Sequence, residues 1–267
     1  MTSNPVNEQD SWGRVVRFIV LSRSLGILIN MEADLVNDTL GKILRAVGIL
    51  FFSITTLMNL LGGIGTSCAA FLTEQYPNYQ ALIDEGIQWL YQGLVITTVL
   101  VGLASIWVTI ELIRGKQNAF RNALILLVIG TILAGIQYYF SQQLFGKAAP
   151  ANMKFYFNVA SLILFLIFLI PGVKKRVNYS REDRGSDQDT AGGLAAIILG
   201  VLLLTTPIWA GPSHTFQGEN WVMLLQTELN LSGILLTGAG VAMLARVIVN
   251  GFRQEFTLSK VDITKDR

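Results

Sequence analysis

Long apolar segments separated by short polar connectors occupy most of this chain, and charged residues are rare within the apolar segments. An α-helix rises about 1.5 Å per residue, so roughly 20 residues are needed to cross a hydrocarbon core of roughly 30 Å. The pattern predicts six transmembrane helices, at about residues 46–70, 88–111, 122–143, 154–172, 191–211 and 229–250. We therefore expect an all-α integral membrane protein whose six helices form one compact bundle.

The polar positions near the two ends of the chain divide it into three parts. We assign residues 1–45 to a cytoplasmic or interfacial N-terminal segment, 46–252 to the membrane domain and 253–267 to a cytoplasmic tail. Apolar residues between Leu35 and Val47 recur at helical spacing, with polar residues on the other faces. This spacing predicts an amphipathic interfacial helix that leads into the first span.

Composition and charge agree with a membrane protein. Hydrophobic residues make up 52% of the 267 residues and charged residues 14%, whereas soluble domains average about 25% charged. The net charge of +2 gives no support to nucleic-acid binding. All Lys and Arg residues except Lys147 and Lys154 fall at one side of the predicted spans, and basic residues favour the cytoplasmic side. We expect a plasma or inner membrane location with both termini in the cytoplasm.

Small and hydroxyl-bearing residues form stripes along the predicted spans. Such stripes let helix backbones approach closely in a bilayer, so they predict tight helix packing; a solute path lined by the same residues is the alternative. The stripes comprise Gly48, Phe52, Thr55, Asn59, Gly62, Thr66 and Ala70; Thr98, Gly102, Ser105 and Thr109; Gly130, Ala134, Gln137 and Ser141; Gly192, Ala196 and Gly200; and Gly233, Thr237 and Gly240.

Polar side chains within the spans are the usual indicators of function in a membrane protein, and here they are few. The candidate residues lining the bundle interior are Asn59, Thr98, Ser105, Gln137 and Asn158. Lys147 and Lys154 are assigned to an outer connector, so we expect the interior to hold no ionisable side chain. That expectation argues against proton relays and ion-coupled carriers, which use buried ionisable groups.

The inventory of reactive residues is short. The chain has one His and one Cys, too few for a zinc site or an iron–sulfur cluster built from this chain alone. Ser213, His214 and Glu219 cluster in the loop of residues 207–221 and form a candidate outer-loop site, with a purely structural loop as the alternative. We expect Cys68 to behave as a small buried hydrophobic residue. The sequence predicts no enzyme activity, no cofactor and no metal.

Two functions from different classes remain open. The first is a non-catalytic subunit or scaffold of a membrane complex, whose partners are the lipid bilayer and other integral membrane subunits or further copies of this chain. The second is a channel or facilitator for an uncharged or weakly polar solute. A continuous polar cavity flanked by Asn59 and Gln137 would indicate transport, whereas a dry bundle with an exposed apolar flank would indicate a subunit. The N-terminal segment is basic, with Arg14, Arg17 and Arg23. It is predicted to bind anionic lipid or a partner subunit; the alternative is that it packs under the helix bundle of its own chain.

Overall fold

The described part of the chain is a helical bundle. The computed structural model describes residues 39–75, 79–146, 151–177, 179, 185–216 and 219–265. Its helices are α1 (Thr39–Phe71), α2 (Ala81–Asp84), α3 (Gln88–Ile113), α4 (Ala119–Phe145), α5 (Ala151–Ile167), α6 (Pro171–Val177), α7 (Gly185–Leu204), α8 (Thr206–Trp209) and α9 (Gln226–Lys265). Short 3-10 turns cover Thr73–Gln75, Gly211–His214 and Trp221–Leu225. Strands β1 (Thr215–Phe216) and β2 (Glu219–Asn220) pair antiparallel in a small hairpin.

Several of these helices have the length and composition needed to cross a membrane. Four qualify in the described residues, namely α1, α3, α4 and the stretch Val222–Gly251 that includes most of α9. A fifth span is present if two bent segments cross the membrane together; these are Asn152–Ile167 and Pro171–Val177, with a 99° bend between them. The apolar part of α7, Asp189–Leu204, is shorter. The membrane-type helical bundle is thus confirmed, and the number six stays a prediction.

The two predicted spans without a straight, full-length helix are interrupted for identifiable reasons. Proline cannot continue a helix as an interior residue, and Pro171 begins α6 just after the turn that ends α5. Pro207 lies in the first turn of α8, directly after α7 has ended. Of the predicted N-terminal interfacial helix, residues 35–38 lie outside the described residues, and residues 39–47 form the first turns of α1, continuous with the first span rather than a separate helix.

Helix α1 lies at the centre of the bundle. In its most apolar window 56% of the residues are buried, against 33% for α3, 28% for α4 and 11% for the last span. Glycines bring its backbone close to its neighbours: a Cβ added at Gly63 would lie 2.7 Å from a methyl group of Val99 on α3. Leu57 of α1 packs with Leu203 of α7 and Leu229 of α9. Helices α3, α7 and α9 therefore all contact α1.

Helices α7 and α9 pack against each other along glycines. A Cβ at Gly240 would lie 2.6 Å from the carbonyl oxygen of Gly193, and one at Gly233 would lie 2.9 Å from that of Gly200. The two backbones thus approach as closely as the predicted small-residue stripes require. The pair forms a hairpin-like arm that contacts α1 chiefly through its apolar side chains.

The segment after α5 returns to the first turns of α1. Arg45 donates from Nε to the carbonyl oxygen of Val177 at 3.2 Å, and the Tyr179 hydroxyl donates to the Arg45 carbonyl at 3.5 Å. The Tyr179 ring stacks on Phe120 and Phe165. Burial raises the pKa of the Tyr179 phenol well above its usual range, so the hydroxyl stays protonated as a donor. These contacts fix the end of the bundle that carries Lys174–Arg176.

Candidate functional site

The structure buries all the polar side chains that the sequence placed in the bundle interior. Each is at most 3% exposed, although they come from α1, α3, α4 and α5: Asn59, Thr98, Ser105, Gln137 and Asn158. Helix spacing predicts this outcome, because each residue lies on the same helical face as neighbouring small residues. The question is then which of these side chains contact each other.

Asn59 and Asn158 form a reciprocal amide pair between α1 and α5. Asn158 donates from Nδ2 to Asn59 Oδ1 at 2.7 Å, and Asn59 donates from Nδ2 to Asn158 Oδ1 at 3.4 Å. The Asn158 amide also donates to the backbone carbonyl of Lys154 at 2.8 Å. One turn away, the hydroxyls of Thr55 and Ser161 lie 2.6 Å apart and connect the same two helices. The contact between α1 and α5 is therefore held by polar bonds as well as by packing.

Lys154 lies inside the bundle, where the sequence pattern predicts no ionisable side chain. It is 1% exposed, and its amine donates to Gln137 Oε1 and, at 3.4 Å, to Thr98 Oγ1. The assignment of Lys154 to an outer connector was wrong. Helix α5 begins at Ala151, so Lys154 belongs to its first turn. The aliphatic stem of Lys154 packs on Gly62 of α1: a Cβ added at Gly62 would lie 3.3 Å from Lys154 Cδ.

A signal for this position was available in the sequence. Lys154 precedes Asn158 by four residues, a spacing that places both side chains on one face of a helix. What the sequence alone could not supply is the opposing glycine: Gly62 leaves the space into which the long lysine stem extends. A lysine near a predicted helix end usually extends to the membrane surface, which explains the wrong assignment.

Lys154, Gln137, Thr98, Asn59 and Asn158 together form what we call the polar cluster. The hydrogen-bond partners of the Lys154 amine are both uncharged groups. Gln137 Nε2 is buried and has no partner within the described residues. Ser105, in contrast, donates to the carbonyl of Val101 on its own helix at 2.7 Å and stays outside the cluster.

The predicted outer-loop site is only partly described. Ser213 and His214 belong to the 3-10 turn Gly211–His214, and Glu219 belongs to β2, but the side chains of Ser213 and Glu219 lie outside the described residues. The His214 ring donates from Nδ1 to the Ala210 carbonyl at 2.9 Å. Its other nitrogen faces α1, where a Cβ on Gly65 would lie 2.8 Å away.

A cavity of about 540 Å³ lies between α1, the start of α5 and the segment that joins α7 to α9. We call it the loop cavity. Its lining comprises Met58, Leu61, Gly62, Ile64, Gly65, Ser67, Cys68, Asn152, Met153, Lys154, Thr206, Trp209, Ala210, His214, Val222, Leu224, Leu225 and Leu229. Cys68 is half-buried in this wall, so the expectation that it behaves as a small buried hydrophobic residue was wrong as to its burial. Lys154 belongs both to this lining and to the polar cluster.

Comparisons with known proteins add no identity to this geometry. No family model, no curated protein and no solved structure matches the chain. Within the described residues, no three His, Cys, Asp or Glu side chains lie together as they would around a metal ion. The polar cluster, the loop cavity and the exposed helix faces are therefore the features that bear on function.

Proposed function

We propose that this protein is a non-catalytic subunit or scaffold of a membrane complex. The proposal is supported chiefly by the hydrogen bonds that the interior polar side chains make with one another. Asn59, Asn158, Thr55 and Ser161 bond to one another between α1 and α5. Asn59 and Gln137 are 2% and 0% exposed, and neither belongs to the lining of the loop cavity. Polar residues arranged in this way hold a bundle together.

The exposed side of α9 supports the same proposal. Only 11% of the residues in the apolar window of the last span are buried. The exposed face carries large apolar side chains together with small residues at helical spacing, and a Cβ at Gly238 would contact nothing within 4 Å in the described part of the chain. The small residues of this face are Gly238, Ala242 and Ala245. Such a face can pack closely against a further transmembrane helix.

The experiment is co-purification in a mild detergent, with the mass of the purified particle measured directly. We expect a partner helix protein, or a second copy of this chain, in fixed ratio. Gly238→Leu should remove the partner because it fills the small-residue face. Gly93→Leu on α3 is the matched control, since a Cβ there also contacts nothing within 4 Å. A lone, monodisperse chain for both variants and for the unmodified protein would contradict the proposal.

A solute channel or facilitator is the second candidate, and one observation favours it. Gln137 Nε2 is buried beside the Lys154 amine without a partner among the described residues, and buried polar groups are normally satisfied by protein or water. A water or small solute at that point would start a polar path through the cluster. Flux of glycerol or urea into liposomes that contain the purified protein, lost in Asn59→Leu, would support this candidate.

A further inference from the structure

The loop cavity has the dimensions and the lining of a binding site for a small hydrophobic molecule. Its volume of about 540 Å³ falls within the roughly 300–1,000 Å³ that is typical of ligand sites. Its walls are mainly aliphatic, with Met58, Leu61, Leu225 and Leu229 among the lining residues. An apolar ligand body suits such a wall because its transfer from water into the cavity is favourable.

The cavity opens at a surface that is itself apolar. Ile64, Leu224 and Leu225 all line it, yet they are 46%, 66% and 43% exposed. Ile64 and Leu225 belong to the first and last candidate spans, so a bilayer crossed by these spans would lie beside this surface. A lipid chain can enter from such a side without crossing a polar barrier.

The polar side chains in the lining favour a ligand with a negative charge. Lys154 and His214 line the cavity, whereas the described lining contains no Asp or Glu. The Lys154 amine is buried and its present partners, Gln137 and Thr98, are uncharged. A buried amine gains most from a partner of opposite charge, because Coulomb attraction strengthens as water is removed.

We propose that the loop cavity binds an acyl chain that carries an acidic head group, with the head group near Lys154 and His214 and the chain along the aliphatic wall. A free fatty acid and an anionic phospholipid share this chemistry. The proposal is independent of the scaffold function: a protein without any partner subunit could hold this ligand, and a scaffold could lack it.

The single cysteine of the chain provides a selective probe, because Cys68 lines the cavity and no other thiol is present. The full chain is placed in nanodiscs of phosphatidylcholine and labelled with a small maleimide. Palmitate at roughly ten times its dissociation constant leaves about one tenth of the sites free, so Cys68 labelling should slow about tenfold. Hexadecanol, with the same chain but no charge, should protect much less.

Four variants, one of them a control, separate the parts of the proposal. Leu225→Trp fills the cavity and should remove protection by palmitate, whereas Leu235→Trp on the exposed face of α9 is the control that should keep it. Lys154→Met retains a long stem without the amine and should reduce palmitate protection to that of hexadecanol. His214→Gln tests the same preference if Lys154→Met does not fold.

The outcomes are distinct. Protection by phosphatidylglycerol in the nanodisc without protection by palmitate supports the site and identifies a phospholipid as its ligand. Equal protection by palmitate and hexadecanol overturns the acidic head group. Labelling that none of these lipids changes, with Cys68 still reactive, overturns the site itself. None of these results depends on a co-purifying subunit, so they stand apart from the test of the proposed function.

Discussion

The first and last candidate spans, α1 and α9, differ in how much of their surface is buried and in the contacts that they make with neighbouring helices. Helix α1 is buried over 56% of its most apolar window and contributes Thr55 and Asn59 to bonds with α5. The last span is buried over 11% of its window and meets α7 through glycine backbones. Since lipid supplies no hydrophobic drive between helices, polar bonds and close backbone packing must supply it. Helix α1 combines polar bonds with close packing at its glycines, whereas the contact of α9 with α7 depends on close packing at glycines.

The difference also separates what each helix can contribute to function. A central helix bonded on several sides cannot accept a new partner without rearrangement, because packed interiors tolerate little added volume. A peripheral helix with one packed side keeps the other side available. The comparison therefore predicts that changes on α1 contacts affect folding, whereas changes on the outer side of α9 affect association.

The contact between α1 and α3 should be the least tolerant of added volume. A Cβ at Gly102 would lie 2.7 Å from Leu60 Cδ2 and 3.3 Å from the Leu60 backbone nitrogen, so the backbone itself must move. We expect Gly102→Leu to destabilise the protein by about 3 kcal/mol, the upper part of the usual range for overpacking. Tryptophan fluorescence during thermal unfolding in detergent measures the loss. Gly93→Leu on the same helix should leave the transition unchanged, and equal losses for both variants would contradict the central position of α1.

The amide pair between α1 and α5 should behave as one unit. Asn59→Leu leaves the Asn158 amide without its reciprocal partner, and we expect each single substitution to destabilise the protein by about 2 kcal/mol. The double variant Asn59→Leu with Asn158→Leu leaves neither amide unpaired and should lose clearly less than the sum of the two. Denaturation of the unmodified protein, the two single variants and the double variant completes the double-mutant cycle. Additive losses would show that the two amides do not act together.

The glycine contact between α7 and α9 should fail locally. A Cβ at Gly240 would lie 2.6 Å from the Gly193 carbonyl oxygen, so Gly240→Ala must push the two helices apart. We expect a loss of about 1 kcal/mol, with faster hydrogen exchange in α7 and α9 and unchanged exchange in α1. Gly238→Ala, where a Cβ meets nothing within 4 Å, is the control. Faster exchange throughout α1 would show that the arm and the central helix are not separate units.

The sequence carried enough information to predict the helical membrane character and the burial of the candidate polar residues. Asn59 and Gln137 were predicted from helical spacing, because a helix fixes which residues share a face, whereas Asn158 was predicted from its position within an apolar span. Lys154 was missed because its burial depends on Gly62, which lies on another helix and is unrelated in sequence. The loop cavity was missed for the same reason: its walls come from three separate segments, and only their packing brings Met58, Lys154 and Leu225 together.

The outer side of α9 supplies the smallest expected effect on stability and the sharpest test of the comparison. Gly238→Leu adds a side chain where nothing lies within 4 Å, and exposed substitutions of this kind usually change stability by no more than about 0.5 kcal/mol. We expect the thermal transition of the isolated chain to be unchanged or slightly raised, since leucine favours a helix more than glycine does. If the same variant keeps its stability but loses its co-purifying partner, this side of α9 contributes to association and not to folding. A large loss of stability in the isolated chain would instead show that this side of α9 is packed, and the contrast with α1 would disappear.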